Sequence, residues 1–144
     1  MTVVRSVIAW ICLALLLASP VAHADCLDDA ARYHRVSIRV VRAIAQGESS
    51  MRANAINVNE DGSEDIGLMQ INSWWFPKLA RYGITRQKLF DACVNAYVGT
   101  WIFASNVKRF GATWKAVGAY NASSPEKQLV YANKIYRLIM RSAN

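Results

Sequence analysis

The sequence predicts an α+β domain that is predominantly helical, with a small hairpin or loop lobe. Two helical patterns carry the prediction. Cys93, Tyr97, Trp101 and Ala104 recur at spacings of four and three, and Leu129, Ala132, Ile135, Tyr136, Ile139 and Met140 do the same near the end of the chain. A third observation supplies the β component. Between residues 54 and 66 the helical spacing disappears, and Asp61-Gly62 gives a turn signal inside a polar run.

Taken in order, the chain begins with Arg5, an apolar run from Val7 to Ala18, and the small-x-small triplet Ala22-His23-Ala24. That is the form of a cleavable signal peptide, so residues 1–24 are expected to be a leader and residues 25–144 one folded domain. The apolar run is shorter than the roughly 20 residues that span a bilayer, and no later stretch is long and apolar enough, so no membrane span is expected after cleavage. A short helix is expected over 26–34. A second follows over 38–48, with Ser37 as its cap and Gly47 marking its end. Residues 54–66 read as a hairpin or an irregular loop, and from Gly67 the pattern turns helical again. Trp74-Trp75-Phe76-Pro77 breaks it, and 77–82 starts a further turn. The clearest helix covers 89–109 and ends before Gly111. A short one covers 112–119, and Ser124-Pro125-Glu126 opens the last, with serine as cap and proline in the first turn.

The chain carries 17 basic and 10 acidic residues. Only Arg5 among them lies in the expected leader, so the remainder keeps a strong positive excess, which suits an acidic extracellular polymer such as a bacterial cell wall. Its lysines and arginines are scattered and accompany no nucleic-acid motif, so no nucleic-acid partner is expected. Removal of the leader takes Cys12 with it and leaves Cys26 and Cys93. Two thiols in an exported chain suggest one disulfide, the alternative being a pair of buried free thiols. With two histidines in the chain and no CxxC spacing, no metal or other cofactor is expected.

Glu48 is the residue that bears on chemistry. Steps of about 100° per residue put it within roughly 60° of Val41 and Ile44 on the same helix face. A carboxyl group on an apolar seam loses hydration, which raises its pKa, and the negative end of the helix dipole pushes the same way. A general acid working near neutrality needs that property.

Three strings then occur in order: Gly47-Glu48-Ser49-Ser50, Gly67-Leu68-Met69-Gln70-Ile71-Asn72 and Ala119-Tyr120-Asn121. Together they resemble the lytic transglycosylases of the goose-type-lysozyme-like, SLT-type family, over about 33–136. The small size, the leader and the segment 62–72 are most similar to specialised members that accompany type III or type IV secretion, conjugation or type IV pilus assembly. Met51 departs from the Phe or Leu of many relatives and is an apolar substitute.

The resemblance implies a lysozyme-like domain in the periplasm, acting on peptidoglycan glycan strands beside components of a secretion, conjugation or pilus machine. It implies Glu48 as the catalytic acid and base. Asp65 is the candidate for a second carboxylate that stabilises positive charge or activates water. Ser49 would orient Glu48 or bond an N-acetyl group. Met69, Gln70 and Asn72 would line the cleft, Tyr120 would place its hydroxyl near Glu48, and Asn121 would bond the sugar chain. Of the adjacent aromatics Trp74, Trp75 and Phe76, at least one is expected in the core and the others as a sugar platform. Three readings stay open: a lytic transglycosylase, a muramidase that hydrolyses the same bond, and a non-catalytic wall-binding scaffold.

Overall fold

Side-chain caps set four of the helix starts in the computed structural model, which describes residues 21–142. Helix α1 spans Val21–His34, reaching back beyond the expected start at Cys26. The expected leader lies outside the described residues for its first 20 positions. Helix α2 spans Ile38–Ser49, and the Ser37 hydroxyl accepts the Val40 N–H at 3.4 Å.

Gly47 does not end α2. The stop is Ser50, in the left-handed region at φ 53°, whose N–H donates to the Gln46 carbonyl. Gly47 has a different reason to lack a side chain. A Cβ there would lie 3.1 Å from Leu138 Cδ1 and 3.2 Å from Ile135 Cδ1, where the last helix crosses.

The lobe is a hairpin with a third strand. Strands β1 (Ile56–Val58), β2 (Glu64–Ile66) and β3 (Ile71–Asn72) form an antiparallel sheet in sequence order, with Asp65 opposite Asn57 on one side and Asn72 on the other. The segment from Gly67 is therefore not helical as its apolar spacing suggests. Gly67 at φ 79° and Gln70 at φ 51° take left-handed conformations that no α-helix tolerates. Asn95, buried in the long helix, holds this turn. Its amide donates to the Ile66 and Leu89 carbonyls, and its oxygen accepts the Met69 N–H at 2.7 Å.

Helix α3 covers Phe76–Ala80 after a 3₁₀ turn at Ser73–Trp75. A second 3₁₀ turn, Gln87–Phe90, replaces the expected first turn of the long helix, which begins only where Asp91 caps it through the Val94 N–H. That helix, α4 (Ala92–Phe110), buries Asn95, Ala96, Val98, Gly99, Ile102 and Phe103 rather than the Tyr97–Trp101 edge. Cys26 and Cys93 are joined, with Cα atoms 5.1 Å apart, so a disulfide ties α1 to α4. In the chain-entropy view, closing a loop of that size stabilises the fold by roughly 4 kcal/mol.

Helix α5 is Trp114–Gly118, and α6 is Pro125–Arg141, with Ser124 as cap and Pro125 in the first turn. The buried strip of α6 is Tyr131, Ala132 and Ile135; Leu129, Tyr136 and Met140 are exposed. The expected apolar face is displaced because α6 packs mainly on α2 and α5, and those two helices cover one side of it. The core itself lies between α1, α2, α4 and the sheet, around Leu27, Ile44, Ile66, Leu68, Met69 and Leu89.

Candidate active site

The end of α2 delivers Glu48 to a cleft of about 370 Å³, which faces the sheet and also touches Asn59, Asp65, Gln70, Asn72, Trp75, Tyr120 and Asn121. The glutamate is half-buried and follows the fully buried Val41 and Ile44 on its helix. Burial pushes its carboxyl pKa up. The Tyr131 hydrogen bond and the Lys134 ammonium act in the opposite sense, and the Asp65 charge adds to the rise, leaving a net increase.

Tyr131 is the closest partner of that carboxyl, its hydroxyl donating to Glu48 Oε1 at 2.5 Å. Burial beside the glutamate drives the Tyr131 pKa far up, so it remains a donor. Sequence reasoning missed this residue. Its available signal was a tyrosine one turn before Ile135, on a strip where a buried hydroxyl needs a partner. Removing that hydroxyl in Tyr131→Phe takes away an interaction that lowers the Glu48 pKa. The glutamate is then expected to titrate at higher pH than in the native chain, as read by carbon NMR of the labelled carboxyl; a lower or unchanged midpoint would refute the assignment.

Tyr120 lines the cleft close enough to Glu48 for the glutamate's charge to add to the rise that burial gives the tyrosine's pKa, although the hydrogen bond of its hydroxyl goes elsewhere. The hydroxyl donates to the Met69 carbonyl at 2.8 Å, and the ring stacks on Tyr131 with centroids 6.5 Å apart. Two other expected cleft residues lie behind the surface. Ser49 is buried and donates to the Leu68 carbonyl at 2.7 Å while accepting the Arg52 N–H, so it pins the glutamate's helix to the Gly67–Asn72 turn. Met69 is fully buried against Gly99, which has no room for a Cβ because the methionine fills the space.

Gln70 does face the cleft. Both hydrogens of its amide point at backbone carbonyls, of Gly67 at 2.9 Å and Ala55 at 3.3 Å, so what it offers to a ligand is its Oε1 acceptor. Trp75 forms one wall, half-buried, whereas Trp74 is exposed and Phe76 packs on the core. Asn121 is exposed at the rim.

Across from Glu48, strand β2 presents Asp65 within a set of amides. Asn72 Nδ2 donates to Oδ1 at 2.8 Å, and Asn59 Nδ2 donates to Oδ2 at 2.9 Å, with Asn57 Nδ2 more distant at 3.4 Å. Asn72 is itself fixed, because its oxygen caps the Trp74 N–H. Sequence reasoning named Asp65 and Asn72 but not Asn57 and Asn59. Strand pairing brings them together, since Asn57 and Asn72 are the register partners of Asp65. The cleft thus sets a glutamate whose pKa burial raises against an aspartate clamped by amide donors. Among the described residues, no group of three His, Cys, Asp or Glu side chains is placed to hold a metal ion.

Known proteins resemble this chain in sequence and in fold. Residues 25–134 match the transglycosylase SLT domain family. Invasion protein IagB of Salmonella typhi is 42% identical over 126 residues, covering 84% of this chain and 79% of that protein. X polypeptide of Escherichia coli (strain K12) is 39% identical over 132 residues, with 86% and 78% covered. Protein IpgF of Shigella flexneri is 37% identical over 125 residues, with 83% and 82% covered. The X-ray structure of an inactive mutant of lytic transglycosylase Slt from Pseudomonas aeruginosa shares the fold at a TM-score of 0.68 and 20% identity. The match covers 83% of this chain but 24% of that much longer one. On the strength of a family match across most of its length, the chain belongs to the transglycosylase SLT domain family and has its lysozyme-like fold.

Proposed function

We propose that this protein is a peptidoglycan lytic transglycosylase that cleaves the β-1,4 bond between N-acetylmuramic acid and N-acetylglucosamine. One observation carries the reading: a half-buried glutamate with a raised pKa opens onto a cleft in a chain of this family. Glu48 gives its proton to the glycosidic oxygen as the C1–O bond breaks. The resulting carboxylate takes the proton of the sugar's own C6 hydroxyl, whose oxygen closes on C1 and leaves a 1,6-anhydro end. Glu48 is protonated again at the close, so no water enters and no protein nucleophile is needed. Asp65 faces the positive charge that develops at C1. Gln70 and Asn121 hold hydroxyls and acetamido groups, and Trp75 and Tyr120 supply the apolar walls.

One feature favours hydrolysis as the second reading. A carboxylate fixed by two close amides opposite the acid is suited to directing a water at C1. The two chemistries differ in product. Mass spectrometry of muropeptides released from purified peptidoglycan by residues 25–144 is expected to show 1,6-anhydro-muramic ends. Products heavier by one water, with reducing ends, would replace the transglycosylase by a muramidase.

The same reading places the protein in the periplasm after removal of residues 1–24. Support comes from the leader pattern and from the Cys26–Cys93 disulfide, a bond typical of oxidising compartments. Among the described residues no helix is long and apolar enough to cross a membrane. A relative named an invasion protein supports local opening of the wall for a secretion or pilus apparatus.

A further inference from the structure

Trp75 and Trp101 form a wall between the cleft and a second concavity. Their rings meet edge to face with centroids 5.4 Å apart, Trp75 belonging to the cleft and Trp101 to the neighbouring groove. Lys78 crosses this wall, its ammonium 5.5 Å from the Trp75 ring and 4.6 Å from the Trp101 ring. Helix α4 feeds both spaces with adjacent residues, Trp101 to the groove and Ile102 to the cleft. The groove measures about 410 Å³ and is walled by Tyr33 and His34 at the end of α1, Tyr82 after α3, and Tyr97 and Trp101 on α4.

These aromatics are not there to fill the core. Tyr33 is 73% exposed, Tyr82 71% and Tyr97 39%, so three rings from three separate elements are left in water around one apolar floor. Tyr33 and Tyr97 stand 5.9 Å apart at a tilt, and Tyr33 meets His34 edge-on at 4.9 Å.

We infer that this groove is a distal binding site for the glycan strand whose scissile bond lies in the cleft, an inference that rests on the glycan-cleaving reading above. A polymer held at one bond must continue past the cleft wall, and the groove begins where that wall ends. Pyranose rings have apolar C–H faces that lie on aromatic surfaces, while phenolic hydroxyls at the rim exchange hydrogen bonds with sugar hydroxyls and acetamido groups. The peptide stems fit less well. They bring carboxylates, whereas the groove lining has no lysine or arginine, Lys78 lying on the wall shared with the cleft, and burial holds His34 toward its neutral form. A second copy of the chain is disfavoured by a formal charge of +6 on each, the +7 of the full sequence less Arg5, which leaves with the leader. The strand is thereby gripped on both sides of the Trp75–Trp101 wall, which makes affinity depend on strand length.

The test is equilibrium binding to glycan strands of defined length, stripped of their stems, by Glu48→Gln, which holds the strand without cutting it, and by the same variant carrying Tyr33→Ala/Tyr97→Ala or Tyr82→Ala. All three tyrosines are exposed, and thermal unfolding checks that each variant is folded; the Tyr82→Ala form serves if the Tyr33→Ala/Tyr97→Ala form is not. Glu48→Gln is expected to bind long strands more tightly than short ones, and addition of Tyr33→Ala/Tyr97→Ala to cost about fivefold on long strands. Unchanged affinity for long strands in a folded variant would overturn the groove. A loss seen only on strands that keep their stems would overturn it too and assign the surface to peptide. Binding is read without turnover, so an absence of cleavage products from the native chain would refute the catalytic reading separately from the groove.

Discussion

Glu48→Gln is expected to lower the rate of muropeptide release by at least about a hundredfold, the scale of a lost general acid–base. Glutamine keeps the shape of the side chain, and its oxygen still accepts the Tyr131 hydroxyl, so the cleft and its hold on the strand should persist. What disappears is the proton for the leaving oxygen. A sedimentation assay with insoluble peptidoglycan is therefore expected to show the variant binding as the native chain does. Cleavage at the native rate would sink the assignment of Glu48, and loss of binding along with cleavage would mean a collapsed cleft instead.

The same substitution has a stability signature whose sign follows from the direction of the pKa. Burial raises the Glu48 pKa in the folded chain. A carboxyl with a raised folded value stabilises the fold fully below its unfolded pKa of about 4.3, and that contribution is lost as pH rises through the folded value. Glutamine carries no such penalty. Thermal unfolding is expected to find the two proteins alike near pH 4, and the glutamine variant the more stable at neutral pH.

How far the sequence disclosed this site depends on what kind of information each residue carries. Glu48 was legible because one charge on an apolar helix face conflicts with the pattern around it, and Gln70, Asn72, Tyr120 and Asn121 because short motifs fix their chain neighbours. Motif membership does not say which side of the backbone a residue takes. Ser49 and Met69 lie within the same strings and turn inward, the serine to the Leu68 carbonyl and the methionine against Gly99. The helical spacing after Gly67 misled for a related reason, since two left-handed residues and the Asn95 amide define that turn and neither shows in periodicity. Tyr131 was hidden because α6 is only partly covered. Its apolar arc is wider than the strip that α2 and α5 bury, so spacing alone selected Tyr136 and Met140 over the residue that touches Glu48.

Asp65→Asn is expected to reduce turnover by about a hundredfold, comparable with removal of one preorganised group aimed at developing charge. The change has two effects that separate in experiment. It deletes the negative charge facing C1. It also spoils the clamp, because Asn72 and Asn59 each donate to a different Asp65 oxygen, and an amide can present an acceptor to only one of them. The other donor is left facing an N–H, which costs about 1–3 kcal/mol of stability. Asn59→Ala serves as the control, since it loosens the clamp while keeping the charge. If charge is what matters, Asp65→Asn falls well below Asn59→Ala at saturating substrate; equal losses would make Asp65 a structural member of the sheet. The pH profile adds a second reading. The Asp65 charge raises the Glu48 pKa, so its removal is expected to move the alkaline limb of activity to lower pH, opposite to the shift in Tyr131→Phe. A variant that keeps 1,6-anhydro products but loses those with reducing ends would place Asp65 on the water rather than on the sugar.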